Sequence, residues 1–303
     1  MVNINIEGIE YIMKYIDLEG NKIEKDTKQD RLLREIYTSS IGRGIMKLLV
    51  NPTVSNLGGM LLNSRLSTLL IPSFIKKNGI NMDNYAEQYY NSYNDFFMRQ
   101  IKKELRPIDE REDTIVSPAD GKVSAYQISD KLVVNIKNSK YTVASLLRDK
   151  ELAKRYKEGY LVIIRLTVDD YHRYCYPVTG SKGKNKSIKG VLHTVNPIAN
   201  DYVRIYKENT REYTVIETKE FGDVIQMEVG ALLVGKISNY HQELEVVKGQ
   251  EKGRFEFGGS SIALLLDSKK VCLKEQLLAN TENGYETIIQ MGHTIAYKCT
   301  DNK

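Results

Sequence analysis

Helical spacing of apolar residues marks the first third of the chain. Leu33, Ile36 and Tyr37 recur on one face of a helix. Residues 83–105 then form a polar and aromatic run that ends before Pro107, where a helix would have to stop. The pattern predicts a helical N-terminal region.

From Thr114 onward the pattern changes to short runs rich in Val and Ile, separated by turn signals. Many of these runs alternate in polarity, as half-buried antiparallel strands do. They are TIVSPADGKVSAYQI, LVVNIK, YLVIIRLTV, EYTVIETKEFGDVIQMEVGALLVGKI and TIIQMGHTIAY. One helix, predicted over residues 143–156, interrupts them. The sequence therefore predicts an α+β fold: a helical region over residues 1–110 packed on a largely antiparallel β-sandwich or barrel-like body over residues 111–303.

The run from Ile45 to Asn78 is apolar but broken by proline and glycine. Its few charges are all basic: Lys47, Arg65, Lys76 and Lys77. Such a run packs as short core helices, the commoner case. It also suits a bilayer interface, with the basic side chains toward anionic headgroups. Both interpretations stay open on the pattern alone.

Composition limits the class of protein without choosing a function. The chain has 303 residues, 41% hydrophobic and 27% charged, which is a globular composition. The net charge of +5 suits an anionic surface such as membrane lipid. No clustered stripe of Lys and Arg predicts a nucleic-acid partner. No apolar run approaches the ~20 residues that cross a bilayer, and the first residues lack the basic start of a signal peptide. A lipid-active protein of this sequence is expected to lie on the membrane.

Three cysteines are present, Cys175, Cys272 and Cys299. They form no C-x-x-C motif, and an odd number cannot all pair within one chain. A reducing compartment with free thiols is the simpler expectation. No metal ligand set is predicted.

The run FEFGGSSIALLLD places Ser260 after two glycines, between two apolar stretches. Glycines permit a strained turn, and a serine just after it could attack the carbonyl on its own N-terminal side. The alternative is an ordinary glycine hairpin. The motif is not G-x-S-x-G, which disfavours an α/β-hydrolase.

Two further segments carry candidate chemistry. His172 follows a strong predicted strand, beside Asp169 and Asp170, where an imidazole can hold or donate a proton near neutral pH. Asp120 lies in the turn of SPADG, from which a carboxylate can orient an imidazole. The alternatives are a surface histidine in a charged turn and a simple turn aspartate.

Taken in order, these segments resemble the phosphatidylserine decarboxylase family. Order and spacing agree over roughly the last two thirds of the chain, and the ordered combination is specific where each motif alone is weak. The matching motifs are FF-x-R…RPI (Phe96, Phe97, Arg99, Arg106, Pro107, Ile108), SPADG (117–121), DYHR (170–173), FGDVIQMEVGALLVGKI (221–237), KGQEKGRFEFGGSS (248–261) and MGHTIAY (291–297).

The resemblance implies a self-cleaving proenzyme. Asp120 and a histidine would activate Ser260, whose hydroxyl attacks the Gly259 carbonyl. The products would be a beta chain of residues 1–259 and an alpha chain of residues 260–303 that begins with a pyruvoyl group.

The resemblance also implies the reaction and its partners. The pyruvoyl carbonyl would form a Schiff base with phosphatidylserine and accept the electrons released as CO2 leaves, yielding phosphatidylethanolamine. His172 would supply the proton. Residues 1–110 would associate with an anionic membrane surface, on the cytoplasmic face of the cell membrane, as a peripheral protein. A homodimer stays open.

Two positions depart from the family pattern. Many members carry a second histidine where this chain has Cys175. The base for self-cleavage is therefore His172, Cys175 as an accessory, or a histidine from elsewhere, His193 or His241. The usual Gly-Ser-Thr is here Gly-Ser-Ser, which keeps the following hydroxyl, so we expect cleavage to survive. Two alternatives are a pyruvoyl-dependent decarboxylase of a soluble amino acid and a non-catalytic β-rich binding module.

Overall fold

The structure is a computed structural model. It describes residues 14–23, 58–137, 139–193, 206–230, 236–256 and 260–299, without the side chains of 191–193 and 206–207. The helix predicted around residues 33–37 and the cleavage residue Gly259 lie outside these ranges, as does the first part of the apolar run.

Short strands make up most of the described residues. They are β1 Lys14–Ile16, β2 Lys22–Ile23, β3 Thr114–Val116, β4 Gly121–Gln127, β5 Val134–Ile136, β6 Ser139–Tyr141, β7 Tyr160–Leu166, β8 Arg173–Cys175, β9 Gly180–Lys182, β10 Lys186–Ile188, β11 Val191–His193, β12 Tyr206–Glu208, β13 Arg211–Thr218, β14 Gly222–Val229, β15 Ile237–Asn239, β16 Leu244–Val246, β17 Glu251–Phe255, β18 Ser260–Leu266, β19 Val271–Leu273, β20 Tyr285–Ile289 and β21 Thr294–Lys298.

Helices are few and short in the same residues. The α-helices are α1 Ile71–Asn78, α2 Tyr93–Phe97, α3 Val143–Leu147, α4 Lys150–Lys154 and α5 Glu275–Glu282, and the 3-10 helices are Arg65–Leu70, Met82–Asn84 and Lys103–Leu105. Residues 58–62 are also helical.

One large sheet organises the body, in the order β16-β9-β13-β14-β18-β7-β4-β20-β1-β2, with β10 added on β13. Its neighbours are antiparallel except for β1 and β20. The central strand β18, SSIALLL, is buried at every position, as expected for a strand covered on both faces. Two smaller sheets, β15-β17-β8 and β19-β21-β3, share a core with one face. Helix α3 and strand β5 share a second core with the other face.

Strand β18 is hydrogen-bonded on both sides, by β14 and by β7. Strands β20 and β21 pair with β4 and β3 in the same interlocked way. A chain break just before Ser260 would therefore leave the C-terminal segment built into three sheet pairings with the rest of the protein.

The predicted helical N-terminal region is wrong for the described residues. Residues 14–23 form the strand pair β1-β2 at the edge of the large sheet. Residues 83–105 fold back on themselves, with Ala86 N–H donating to the Gln100 carbonyl at 2.8 Å, and only α2 is α-helical there. Ser92 caps α2 with its side chain. Serine and asparagine compete with the helix for backbone groups, which favours caps and turns in this Asn-rich run.

The antiparallel β body is confirmed, with two differences of detail. The described strands of the large sheet run as an open series and do not close into a barrel. The single helix predicted over residues 143–156 is two helices, because Arg148 adopts a left-handed φ of 49° and Asp149 starts α4 as its N-cap.

The expectation of free thiols is wrong for two of the three cysteines. Cys272 and Cys299 form a disulfide with their Cα atoms 5.1 Å apart. Strands β19 and β21 are antiparallel neighbours, which brings the two residues together without any C-x-x-C signal. Cys175 is free and buried. Both bonded cysteines follow Ser260, so the disulfide lies within the C-terminal segment.

Candidate functional site

Ser260 is the first residue of β18 and is 1% exposed. It pairs with Leu166, the last residue of β7. Side chains alternate along a strand, and Ile262 and Leu264 belong to the core beneath the small sheets. Ser260 therefore points toward that core, whereas Ser261 points to the opposite face. The predicted nucleophile lies inside the protein, at the end of a central strand.

His172 lies just before β8, and its ring is 1% exposed. Its Nδ1 is 2.9 Å from the Asp170 carbonyl oxygen, which can only accept, so Nδ1 carries the hydrogen and Nε2 the lone pair. Nε2 is buried and has no hydrogen-bond partner in the described structure. Burial lowers the pKa of His172 to about 3, so the ring is neutral near pH 7. This state is a proton acceptor.

Two short connections bring His172 and Ser260 to the same end of the sheet. Leu166, paired with Ser260, is followed by the loop that leads to His172. On the other side, Phe255 N–H donates to the His172 carbonyl at 2.9 Å, a few residues before Ser260. The structure thus brings together two of the three predicted catalytic residues in one neighbourhood.

The loop before His172 is fixed by a buried ion pair. Lys122 Nζ lies 2.8 Å from both carboxylate oxygens of Asp170, and Thr167 N–H donates to the same carboxylate at 2.6 Å. The carboxylate of Asp170 therefore holds the loop, while its backbone carbonyl orients the His172 ring.

Asp120 is 6% exposed and has a different set of partners. Its oxygens accept from Arg106 Nε at 2.7 Å and Nη2 at 2.5 Å, and from Met291 N–H at 2.8 Å. No imidazole described in the structure donates to it. By strand register it lies two strands from Ser260, about 10 Å between backbones. Asp120 shares the sheet end with Ser260 but does not hold His172.

The histidine in the surroundings of Asp120 is His293, to which the sequence analysis gives no role. Its carbonyl accepts from Ser117 N–H at 2.7 Å, and its Nδ1 is buried without a partner among the described residues. Burial lowers the pKa of His293, and the charge of Asp120 opposes that shift. The motif MGHTIAY contained the signal that could have found it.

Cys175, which replaces the second histidine of the family pattern, lies next to the Asp120 turn. Its N–H donates to the Pro118 carbonyl at 2.9 Å. Burial raises the pKa of Cys175 to about 12, so the thiol is protonated near pH 7. Of the spare histidines, His241 contacts the Tyr176 hydroxyl at 3.2 Å, and the side chain of His193 lies outside the described residues.

An exposed apolar surface lies on the 3-10 helix Arg65–Leu70 and its neighbours. Large side chains that face solvent there are Met60, Leu61, Leu66, Leu69 and Leu70, and Leu66 and Leu69 are each 78% exposed. The surface is anchored to the body by Phe74, whose ring packs 5.3 Å from Tyr93 and 6.0 Å from Phe96. Within the described chain, no helix has both the length and the apolarity for a membrane crossing.

Comparison with known proteins identifies a family over most of this structure. The family model for phosphatidylserine decarboxylase matches residues 93–297. Among curated proteins, the chain is 44% identical to phosphatidylserine decarboxylase proenzyme 2 of Clostridium acetobutylicum, over 92% of this chain and 96% of the relative. It is 38% identical to the phosphatidylserine decarboxylase proenzyme of Clostridium kluyveri, over 95% and 99%. The proenzyme of Fusobacterium nucleatum is also 38% identical, over 95% and 97%.

Proposed function

Since the chain belongs to the phosphatidylserine decarboxylase family, we propose that it is a proenzyme that cuts itself before Ser260 and acts on phosphatidylserine at a membrane surface. Family membership makes the protein a decarboxylase and sets aside the non-catalytic binding module. The relatives' names favour a phospholipid over a soluble amino acid. The observation that carries the proposal is the neutral His172, with its buried Nε2 unpartnered among the described residues near Ser260.

A pyruvoyl group at position 260 fits these surroundings. It is uncharged and close in size to the serine that is buried there, and it would be held by the pairings of β18 with β14 and β7. It supplies a carbonyl that takes the substrate amine and accepts the electron pair released with CO2.

Self-cleavage is assigned to Ser260 with His172 as the base. The lone pair on Nε2 takes the hydroxyl proton, and the serine oxygen bonds to the Gly259 carbonyl carbon while its C–N bond breaks. Loss of the serine α-proton and release of the Gly259 carboxylate follow. Overall one water is consumed and one ammonia is released. Cys175 is a poor base because burial keeps its thiol protonated.

In decarboxylation His172 carries a proton in both directions. Being neutral, it accepts a proton from the incoming substrate ammonium and returns it after CO2 has left. Phe97, whose ring lies 4.0 Å from the His172 ring, keeps water away from this side of the imidazole. The predicted acid role of His172 therefore follows a step in which it acts as a base.

Asp120 is assigned to self-cleavage as a positioning residue. Through Arg106 and Met291 N–H it fixes the turn that carries His293 at the end of β4. Its effect on Ser260 is transmitted through the shared end of the sheet.

The apolar surface is assigned to membrane contact. Its exposed leucines would enter the headgroup region, and the exposed basic residues Arg65, Lys76 and Lys77 would meet anionic lipid. The cytoplasmic leaflet carries such lipids, so we place the protein at that face.

The test compares two neighbouring serines on denaturing gels and in CO2 release. Ser260→Ala is expected to give one uncut chain and no decarboxylation, because the attacking hydroxyl is gone. Ser261→Ala is the matched control: it is equally buried but faces the other core, and we expect it to be cut and active. An active, uncut wild-type chain or a cut Ser260→Ala chain would refute the proposal.

A further inference from the structure

Arg99 is a buried charge that the mechanism above does not use. Its side chain is 1% exposed. Its Nη2 donates to the Tyr85 hydroxyl at 3.2 Å, but Nε and Nη1 are buried without a hydrogen-bond partner in the part of the chain that the structure describes. A guanidinium is always charged and has five N–H donors, so most of its donors await an acceptor.

Aromatic rings surround this guanidinium. Its carbon lies 4.5 Å from the Tyr85 ring centre and 4.9 Å from that of Phe96. Cation–π contact recovers part of the lost hydration, but ring faces provide no strong acceptor. Burial of a cation without acceptors is strongly unfavourable. The site is therefore complete only when an anion enters it.

Two other polar groups near Arg99 also lack partners among the described residues. They are the Tyr90 hydroxyl and His172 Nε2. Burial raises the pKa of Tyr90 and the Arg99 charge opposes it, while that charge adds to the burial that lowers the pKa of His172. The three groups thus share one electrostatic neighbourhood that extends to the reactive histidine.

Arg211 shows how this fold treats an arginine that is purely structural. It is 0% exposed, and its Nε, Nη1 and Nη2 donate to the carbonyls of Leu146 at 2.6 Å, Asn209 at 3.0 Å and Ser145 at 2.8 Å. Every nitrogen has an acceptor. The unmet donors of Arg99 are therefore a property of its site, since the same fold satisfies another buried arginine fully.

The position of Arg99 matches the order of groups in a phospholipid. The apolar surface comes first and packs through Phe74 onto Phe96. Arg99 lies against Phe96, and Phe97 next in the chain touches His172. Acyl chains, phosphate and amino acid follow one another in the same order in the substrate.

We propose that Arg99, together with the Tyr90 hydroxyl, binds the phosphodiester of the lipid headgroup. This inference rests on the proposed function. Arginine forms paired, charge-assisted hydrogen bonds with phosphate oxygens. The phosphodiester keeps its charge throughout the reaction, so binding it holds substrate and transition state alike. A cation on the substrate carboxylate would instead stabilise a charge that the reaction must remove, which opposes catalysis.

The binding test uses glycerophosphocholine, a phosphodiester whose quaternary amine cannot react with a carbonyl, so the result does not depend on a pyruvoyl group. By calorimetry we expect it to bind wild type, and Arg99→Gln to weaken that affinity about 10- to 100-fold, the range for charge-assisted hydrogen bonds. Choline alone is expected not to bind. Equal affinity in wild type and Arg99→Gln, or binding of inorganic phosphate but not the phosphodiester, would overturn the proposal.

Two controls separate binding from folding. Arg211→Lys is expected to lower thermal stability but leave phosphodiester affinity unchanged. Arg99→Lys keeps the charge without the planar fork, and we expect intermediate affinity. If neither Arg99 variant folds, the wild-type titration still decides, since no phosphodiester binding there refutes the site.

Activity gives an independent readout in mixed micelles of phosphatidylserine. Arg99→Gln is expected to be self-cleaved normally and to raise KM far more than it lowers kcat. Normal KM with lost kcat would contradict headgroup binding. Failure of wild type to cleave or release CO2 would instead refute the proposed function and leave the calorimetric result standing.

Discussion

Arg99 and Arg106 come from the same short segment, yet their surroundings are of opposite kinds. Arg106 gives two N–H groups to the Asp120 carboxylate, and Met291 N–H completes that cluster. Arg99 stacks on aromatic rings and keeps two nitrogens without partners among the described residues. The Asp120 cluster is complete in the protein alone, whereas the Arg99 side is not.

The difference separates positioning from chemistry. Around Asp120 the fold spends its polar groups on one another and thereby fixes the turn before β21. Around Arg99 and His172 it leaves donors and a lone pair available. Unmet buried polar groups are rare in folded proteins, and here they lie together on the side that also approaches Ser260.

The largest effect is expected at His172. His172→Ala removes the group that moves the proton, and we expect decarboxylation to fall by about 10²- to 10⁴-fold, the usual contribution of a general acid–base group. Measured CO2 release and the rate of self-cleavage on gels check both steps. His241→Ala serves as the control and should stay active. Full activity of His172→Ala would transfer the proton role to the Asp120 cluster and His293.

A stability measurement sets the two arginines against each other. Arg106→Met leaves the buried Asp120 carboxylate without its cation, and we expect a loss of about 2–4 kcal/mol in the free energy of unfolding. Arg99→Met removes an unpaired charge and should fall within about 1 kcal/mol of wild type or above it. Urea unfolding of both variants checks the contrast. Equal large losses would mean that Arg99 is a structural residue like Arg106.

The pH dependence of stability sharpens the same contrast. His172 has a folded pKa of about 3, below its ordinary 6.5, so between these values the unfolded chain binds one more proton than the folded chain. Stability therefore rises with pH across this window and falls on acidification, by about 2 kcal/mol between pH 7 and pH 5 for this group. His172→Phe should flatten the curve by that amount in urea unfolding at the two pH values. An unchanged slope would show that the His172 ring is not held neutral.

The smallest effect is expected at Cys175. Its protonated, buried thiol is adjacent to the Asp120 turn, so Cys175→Ala should cost about 1 kcal/mol of stability through packing and leave self-cleavage intact. The cleavage rate on gels is the measurement. Loss of cleavage with a folded chain would make Cys175 the missing base.

The sequence predicts the β body well, because strands such as YLVIIRLTV become β7 with the Val and Ile runs that a covered strand requires. It fails for residues 83–105, where tertiary hydrogen bonds and the caps at Asn81 and Ser92 override an aromatic pattern that looks helical. The disulfide between Cys272 and Cys299 depends on strand pairing, which spacing alone does not reveal.

For the site, the motifs identify Ser260, His172 and Asp120 as residues, but not which of them meet. The Asp120 carboxylate is taken by Arg106, and the His172 ring by a backbone carbonyl. A backbone acceptor leaves no trace in a motif. Arg99 and His293 stand in quoted motifs without a role, because only burial without a partner marks them.

Intact-mass spectrometry of active wild-type protein tests the central claim most directly. The account predicts two chains, the smaller beginning at residue 260, whose masses sum to the precursor plus one water and minus one ammonia. A fully active preparation consisting of one unbroken chain with an ordinary serine at 260 would contradict it.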